Sequence, residues 1–124
     1  MTEACDITAA NDGRVMVVKW GDSCVHIYSE DGDYLEKFKL QGRCLDPRVA
    51  FHQLTEHVVI AGWKKESVVV LEIFTKYGEF VRSSQIQIKR SCGTAGMTVT
   101  RDGRIALLLR LLQGISNTWK VLVI

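Results

Sequence analysis

The sequence predicts an all-β fold in which one small antiparallel sheet is repeated three times, and three observations support this. Tight-turn sequences recur, short apolar runs follow them, and the recurrence has a regular spacing. Gly13 and Gly103 lie 90 positions apart, Trp20 and Trp63 lie 43 apart, and Gly32 and Gly78 lie 46 apart. A spacing of about 40–50 residues built from short strands is typical of β-propeller blades.

The first predicted blade spans residues 5–40. The Asp-Gly pair at positions 12 and 13 is typical of a two-residue hairpin turn. The outermost segment alternates apolar residues with lysines, as expected of an exposed edge strand. The four predicted strands, from the innermost outward, are residues 6–10, 15–18, 24–28 and 34–40.

The second and third predicted blades span residues 47–88 and 95–124. Blade two lacks the Asp-Gly turn, and its third strand is predicted to be about three residues longer than that of blade one. Blade three is predicted to lack an outer strand. The predicted strands are residues 48–51, 58–61, 68–74 and 80–88 in blade two, and 96–100, 105–109 and 119–124 in blade three.

The second strand of each blade is apolar throughout, at residues 15–18, 58–61 and 105–109. A continuous apolar run indicates a strand that is buried on both faces. One blade cannot bury both faces of its own sheet, so each needs a neighbour on either side. We therefore expect a partial propeller of three antiparallel blades, each four-stranded except the last.

Several functional classes find no support in the sequence. No apolar run approaches the roughly 20 residues of a transmembrane helix, and the first residues do not resemble a signal peptide. Neither a nucleophile elbow nor a phosphate-binding loop is present, so we expect no enzymatic activity and no cofactor. The histidines have no metal-site spacing and the cysteines no CxxC pair, which favours reduced thiols and a cytoplasmic protein: His26, His52, His57, Cys5, Cys24, Cys44 and Cys92.

The chain resembles the NHL-repeat family. Residues 6–9, 12–18, 25–28 and 31–35 resemble a full repeat, and residues 96–99, 102–105 and 120–123 match it again, whereas blade two departs from it. The resemblance implies a six-bladed ring like that at the C-terminus of TRIM-NHL proteins, in which an N-terminal segment often completes the last blade. The three predicted blades resemble the last three of such a domain, which would make them half of the ring. It also implies possible recognition of single-stranded RNA. No RING, B-box or coiled coil is visible, so no ubiquitin-ligase activity is carried over.

Charge is predicted to be segregated between the two ends of the blades. The loops after the second and fourth strands carry eight basic and three acidic residues, a net +5, whereas the opposite turns carry a net −3. Cations beside aromatic rings suit phosphates and stacked bases, although the tryptophans could equally be packed between blades and the lysines merely solvated. The candidate residues of this basic rim are Lys19, Trp20, Arg43, Arg48, Trp63, Lys64, Lys65, Lys89, Arg90 and Arg110.

Two functions are compatible with these features. The first is a non-catalytic interaction module that binds a protein partner or a second copy of itself, since three blades leave two apolar blade faces uncovered. A homodimer would complete six blades. The alternative is single-stranded RNA binding through the basic rim. Neither function requires a membrane.

Overall fold

The computed structural model describes residues 3–42, 44–65, 67–88, 91–113 and 116–124. Within these ranges the regular structure consists of β-strands without helices, which confirms the predicted all-β class. The strands are β1 (Glu3–Ala9), β2 (Val15–Trp20), β3 (Cys24–Tyr28), β4 (Tyr34–Lys39), β5 (Leu45–His52), β6 (His57–Lys65), β7 (Val68–Thr75), β8 (Phe80–Gln87), β9 (Ser91–Val99), β10 (Ile105–Gln113) and β11 (Ser116–Val123).

The strands form three antiparallel sheets in which neighbours follow chain order. Sheet one is β1-β2-β3-β4, sheet two is β5-β6-β7-β8, and sheet three is β9-β10-β11. These sheets correspond to the three predicted blades, and the third has three strands as expected. β7 has 8 residues where β3 has 5, which agrees with the longer third strand expected in blade two. None of the described sheets closes on itself.

Four hairpin turns share one geometry. In the first, the Ala10 N–H donates to the Arg14 carbonyl (2.8 Å) and the Gly13 N–H donates to the Ala10 carbonyl (3.1 Å). Gly13 has a φ of +88°, which a residue with a side chain rarely adopts. The loop is therefore a three-residue turn closed by a glycine bulge, not the predicted two-residue turn. The same bonds recur in residues 29–33, 75–79 and 100–104.

Several strands are longer than predicted because pairing continues through bulges. β9 begins at Ser91, where a crossover had been predicted, and pairs with β10 across irregularities at Leu108/Leu109 and Arg110/Leu111. β11 begins at Ser116, before the predicted position 119, and pairs with β10 as far as Gln113. Bulges of this kind insert a residue without ending the ladder, and no apolar periodicity marks them in the sequence.

Two apolar cores lie on opposite faces of sheet two. Val58, Ile60 and Phe74 contribute to the core shared with sheet one. Val59 and Ala61 contribute to the core shared with sheet three. Because consecutive residues of β6 point to opposite faces, this strand is dry on both sides, as predicted. Fully burying one such side chain contributes roughly 1.5–3 kcal/mol.

The equivalent strands of the end sheets are buried on one face only, which corrects the prediction for residues 15–18 and 105–109. In β2, Met16 and Val18 are buried while Val15 and Val17 are half-buried. In β10, Leu107 is buried and Leu108 is exposed. The physical reason is that the described chain provides sheets one and three with a neighbour on one side only.

Candidate interaction surfaces

The basic rim is formed where β2, β6 and β10 end, since antiparallel neighbours bring alternate loops to the same end of each sheet. Trp20, Lys64, Lys65 and Arg110 are exposed there, and Lys19 is half-buried. Arg43, Lys89 and Arg90 lie outside the described residues. The rim therefore presents Trp20 together with cations from all three sheets.

Trp63 does not lie on the surface of this rim. Its side chain is buried in the core between sheets two and three, beside Ala61 and Val69. Its ring is packed between two sheets, which was the alternative interpretation of the tryptophans. It cannot stack on a base without leaving the core. The equivalent Trp20 is half exposed.

Arg48 is occupied by structural contacts. Its Nη1 donates to the Cys5 carbonyl (2.8 Å) and its Nη2 donates to the Thr94 carbonyl (3.0 Å). Nη2 also lies 3.3 Å from the Asp46 Oδ1. One guanidinium in β5 thus joins β1 on one side to β9 on the other, and its charge is paired within the fold. Sequence reasoning placed Arg48 on the rim but missed this role, because nothing local marks an arginine that bridges three sheets.

The opposite end of sheets one and two is tied together by a small polar network. The Glu56 Oε1 lies 2.5 Å from Asn11 Nδ2 and 3.2 Å from Lys76 Nζ. The hydrogen bond from Asn11, then that from Lys76, lowers the pKa of Glu56. The Arg14 Nη2 donates to the Lys76 carbonyl (2.9 Å). The turns opposite the basic rim therefore help to hold sheet one against sheet two.

A groove of about 400 Å³ runs between the innermost strands β1, β5 and β9. Asp6 lies at its wall, but its Oδ2 already accepts a hydrogen bond from the Val49 N–H (3.0 Å). Among the described residues, no group of three or more His, Cys, Asp or Glu side chains could hold a metal ion. The groove is lined by both polar and apolar residues.

Sheet one has an apolar face that no other part of the described chain covers. We call Ile7, Val15, Val17 and Tyr28 the open face of sheet one. They share one side of the sheet because Ile7 pairs with Val17, and Val15 pairs with both Ala9 and Tyr28. They line a shallow groove of about 270 Å³.

Sheet three has a similar face on its far side. We call Leu108, Trp119, Val121 and Val123 the open face of sheet three, and all four side chains are exposed. Val121 lies directly opposite Leu108 in the β10–β11 ladder. Sheet three thus presents a contiguous apolar face to solvent.

In the described part of the chain, we find no helix with the length and apolar character needed to cross a membrane.

Comparison with known proteins yields a similarity of fold. No protein-family model matches the chain, and no curated protein matches it. A crystal structure of a protein of unknown function from Bacteroides caccae aligns with a TM-score of 0.57 and 10% sequence identity. The alignment covers 94% of this chain but 46% of that protein, so this chain spans about half of its length.

Proposed function

We propose that this chain is an NHL-like propeller segment that acts as a non-catalytic interaction module. The observation that carries the proposal is the pair of open faces, one at each end of the three-sheet stack. Ile7 of the first face and all four residues of the second are exposed, the other residues of the first face are half-buried, and the equivalent positions of sheet two are buried. Covering them with a protein partner would recover hydrophobic free energy at roughly 25 cal/mol per Å².

The partner that best fits both faces is a second copy of the chain. Three blades from each of two copies would complete a six-bladed ring. The free thiols of Cys24 and Cys44 are compatible with a cytoplasmic protein, which is where we place it.

Sedimentation velocity over a range of micromolar concentrations tests this function. We expect a concentration-dependent species with twice the chain mass of 14.0 kDa. A second measurement incubates the purified chain with an apolar fluorescent dye, whose emission should fall as the dimer forms and the faces are covered. A folded monomer at every concentration, with constant dye binding, would contradict self-association.

RNA binding remains a second candidate because Trp20 is exposed beside Lys19 on the basic rim. A half-exposed indole next to cations can stack on a base, and such stacking contributes roughly 1–3 kcal/mol per base. Lys64 and Lys65 extend the positive surface onto sheet two. The burial of Trp63 and the paired charge of Arg48 reduce the surface available to RNA.

The RNA hypothesis is tested by titrating a short uridine-rich RNA at low salt. The double variant Lys64→Glu, Lys65→Glu should weaken binding, and the affinity should fall steeply with salt concentration. The matched control is Lys37→Glu with Lys39→Glu, which changes the same charge on the exposed outer strand β4. Equal losses in the two variants would indicate nonspecific attraction, and absence of binding to the wild type would reject the hypothesis.

A further inference from the structure

The pairing registers allow each position of one sheet to be matched with its equivalent in the others. Ile7 faces Val17 in sheet one, Val49 faces Ile60 in sheet two, and Met97 faces Leu107 in sheet three. The registers also match positions on the other face of each sheet, the one toward the sheet that follows. Val25, Leu71 and Val121 are equivalent, because they pair with Val18, Ala61 and Leu108 respectively.

At the two ends of the stack, equivalent positions have opposite exposure. Val49 is 2% exposed, whereas its equivalent Ile7 is 63% exposed. Val25 and Leu71 are 0% and 3% exposed, whereas their equivalent Val121 is 63% exposed. The open faces therefore carry apolar residues at positions that the repeat buries wherever a neighbouring sheet is present.

The two interfaces inside the chain have the same polarity. In the first, Met16, Val25 and Ile27 of sheet one meet Val49 and Ile60 of sheet two. In the second, the equivalents of these three sheet-one residues are Val59, Leu71 and Ile73 of sheet two. They pack against Ile105 and Leu107 of sheet three. In both interfaces, one set of equivalent positions packs against the sheet that follows in the chain, and the set on the opposite face packs against the sheet that precedes.

The open faces are one of each kind. Ile7 and Val17 occupy the positions that receive a preceding sheet, and Leu108 and Val121 occupy the positions that receive a following sheet. We propose that a second copy of this chain docks head-to-tail, with the open face of sheet one of each copy packed on the open face of sheet three of the other. This proposal rests on the proposed function and specifies which surfaces meet.

Head-to-tail docking has a definite consequence for symmetry. Contacts between two different surfaces build either a closed ring or an open filament, depending on the rotation between units. If two copies close a ring, both contacts form at once and are related by a twofold axis. Each contact would repeat the packing that already joins sheet one to sheet two.

Complementation between two single-face variants tests the inference. Ile7→Lys disables the open face of sheet one, and Val121→Glu disables the open face of sheet three; both wild-type side chains are equally exposed. In head-to-tail docking each variant alone has two damaged contacts, so each should dimerise at least tenfold more weakly than the wild type. An equimolar mixture retains one undamaged contact and should recover dimers, as measured by sedimentation velocity.

Other outcomes separate this inference from the proposed function. If the wild type is a monomer, self-association itself fails. If the wild type dimerises but only one of the two variants weakens it, like faces meet and head-to-tail docking is wrong; it is also wrong if neither variant has an effect. Open filaments would overturn the closed pairing of two copies, because unlike faces would then meet without closing a ring. Val81→Lys, on the outer strand of the doubly covered sheet two, is the control and should dimerise normally. Circular dichroism checks that each variant folds. Ile7→Ser replaces Ile7→Lys, and Val121→Ser replaces Val121→Glu, if the first variant does not fold.

Discussion

The His52 Nε2 lies 2.7 Å from the Gly103 carbonyl oxygen, which joins the end of β5 in sheet two to the β9–β10 turn of sheet three. A carbonyl cannot donate, so His52 carries its proton on Nε2. Its Nδ1 is then free to accept the Thr55 N–H, at 3.3 Å. One neutral imidazole therefore closes its own turn and holds the adjacent sheet, because its two nitrogens have different roles.

Replacing His52 should loosen the junction of sheets two and three. We expect His52→Ala to lower the free energy of unfolding by about 1–2 kcal/mol, because two hydrogen bonds of a buried side chain are lost. Urea denaturation followed by tryptophan fluorescence measures this, since Trp63 lies in the affected core. His57→Ala, in the same hairpin but less buried, is the control and should cost less; equal losses would contradict the assigned role.

Gly62 should not tolerate a side chain. A Cβ at this position would lie 2.1 Å from the Cys44 Sγ and 2.7 Å from the Leu45 carbonyl oxygen, so the adjacent chain segment would have to move. We expect Gly62→Ala to destabilise the fold by about 2–3 kcal/mol through overpacking. The matched control is Gly96→Ala, where a Cβ would meet nothing within 4 Å. If both substitutions had the same effect, the close approach at Gly62 would not be what limits this position.

The Cys44 thiol should be unreactive in the folded protein. Burial, together with the negative charges of Glu72 and Asp46, raises its pKa to about 12. The thiolate is the reactive form, so iodoacetamide at pH 8 should modify Cys44 slowly in buffer and rapidly in denaturant. Peptide mapping by mass spectrometry measures both rates. Rapid modification in buffer would show that the site opens or is solvated.

The same raised pKa predicts a loss of stability at alkaline pH. The unfolded thiol ionises near its ordinary pKa of 9.0 while the folded thiol stays neutral. Below about pH 9 the thiol is protonated in both states, so its contribution to the free energy of unfolding is constant. Between about pH 9 and 12 it ionises only in the unfolded state, which increasingly favours unfolding. Denaturation of Cys44→Ala should show a shallower decline over this range than the wild type. Parallel declines would contradict the prediction.

Arg48 should matter more for stability than any exposed rim cation. We expect Arg48→Met to cost about 2–3 kcal/mol, because two partly buried carbonyl groups, those of Cys5 and Thr94, lose a charged donor. Lys64→Met, which changes an exposed side chain, should change the free energy of unfolding by less than about 0.5 kcal/mol. Thermal denaturation of the two variants in parallel provides the comparison. A small effect at Arg48 would show that water replaces its hydrogen bonds.

The repeat could be predicted from sequence because its turn residues have strict conformational requirements. Each of the four matching hairpin turns needs a residue with a positive φ, and a glycine therefore occurs at each of them. These glycines recur along the sequence and make the repeat recognisable. The apolar runs of β2, β6 and β10 likewise identified the strands at the centre of each sheet. What the runs could not show is which faces the chain itself covers, since Val17 and Ile60 are equally apolar and differ only in their neighbours.

The candidate rim was less predictable. Trp20 and Trp63 occupy equivalent positions, yet one is half exposed and the other buried. Both lie on the face of their strand that packs against the next sheet, but Trp63 belongs to the core between sheets two and three, whereas Trp20 is not part of the core between sheets one and two. Contacts between distant segments decide this burial, and the local sequence does not show them. Arg48 shows the same limit, because its partners Cys5 and Thr94 lie more than 40 positions away in the chain on either side.

The position of sheet two between two apolar cores has a consequence for local unfolding. In a linear stack each unit is stabilised by its nearest neighbours, so the middle sheet can open only after an outer sheet has detached. Backbone amides of β6 and β7 should therefore exchange hydrogen for deuterium most slowly, and those of β4 and β11 first. Docking of a second copy would erase this gradient, because every sheet would then have two neighbours.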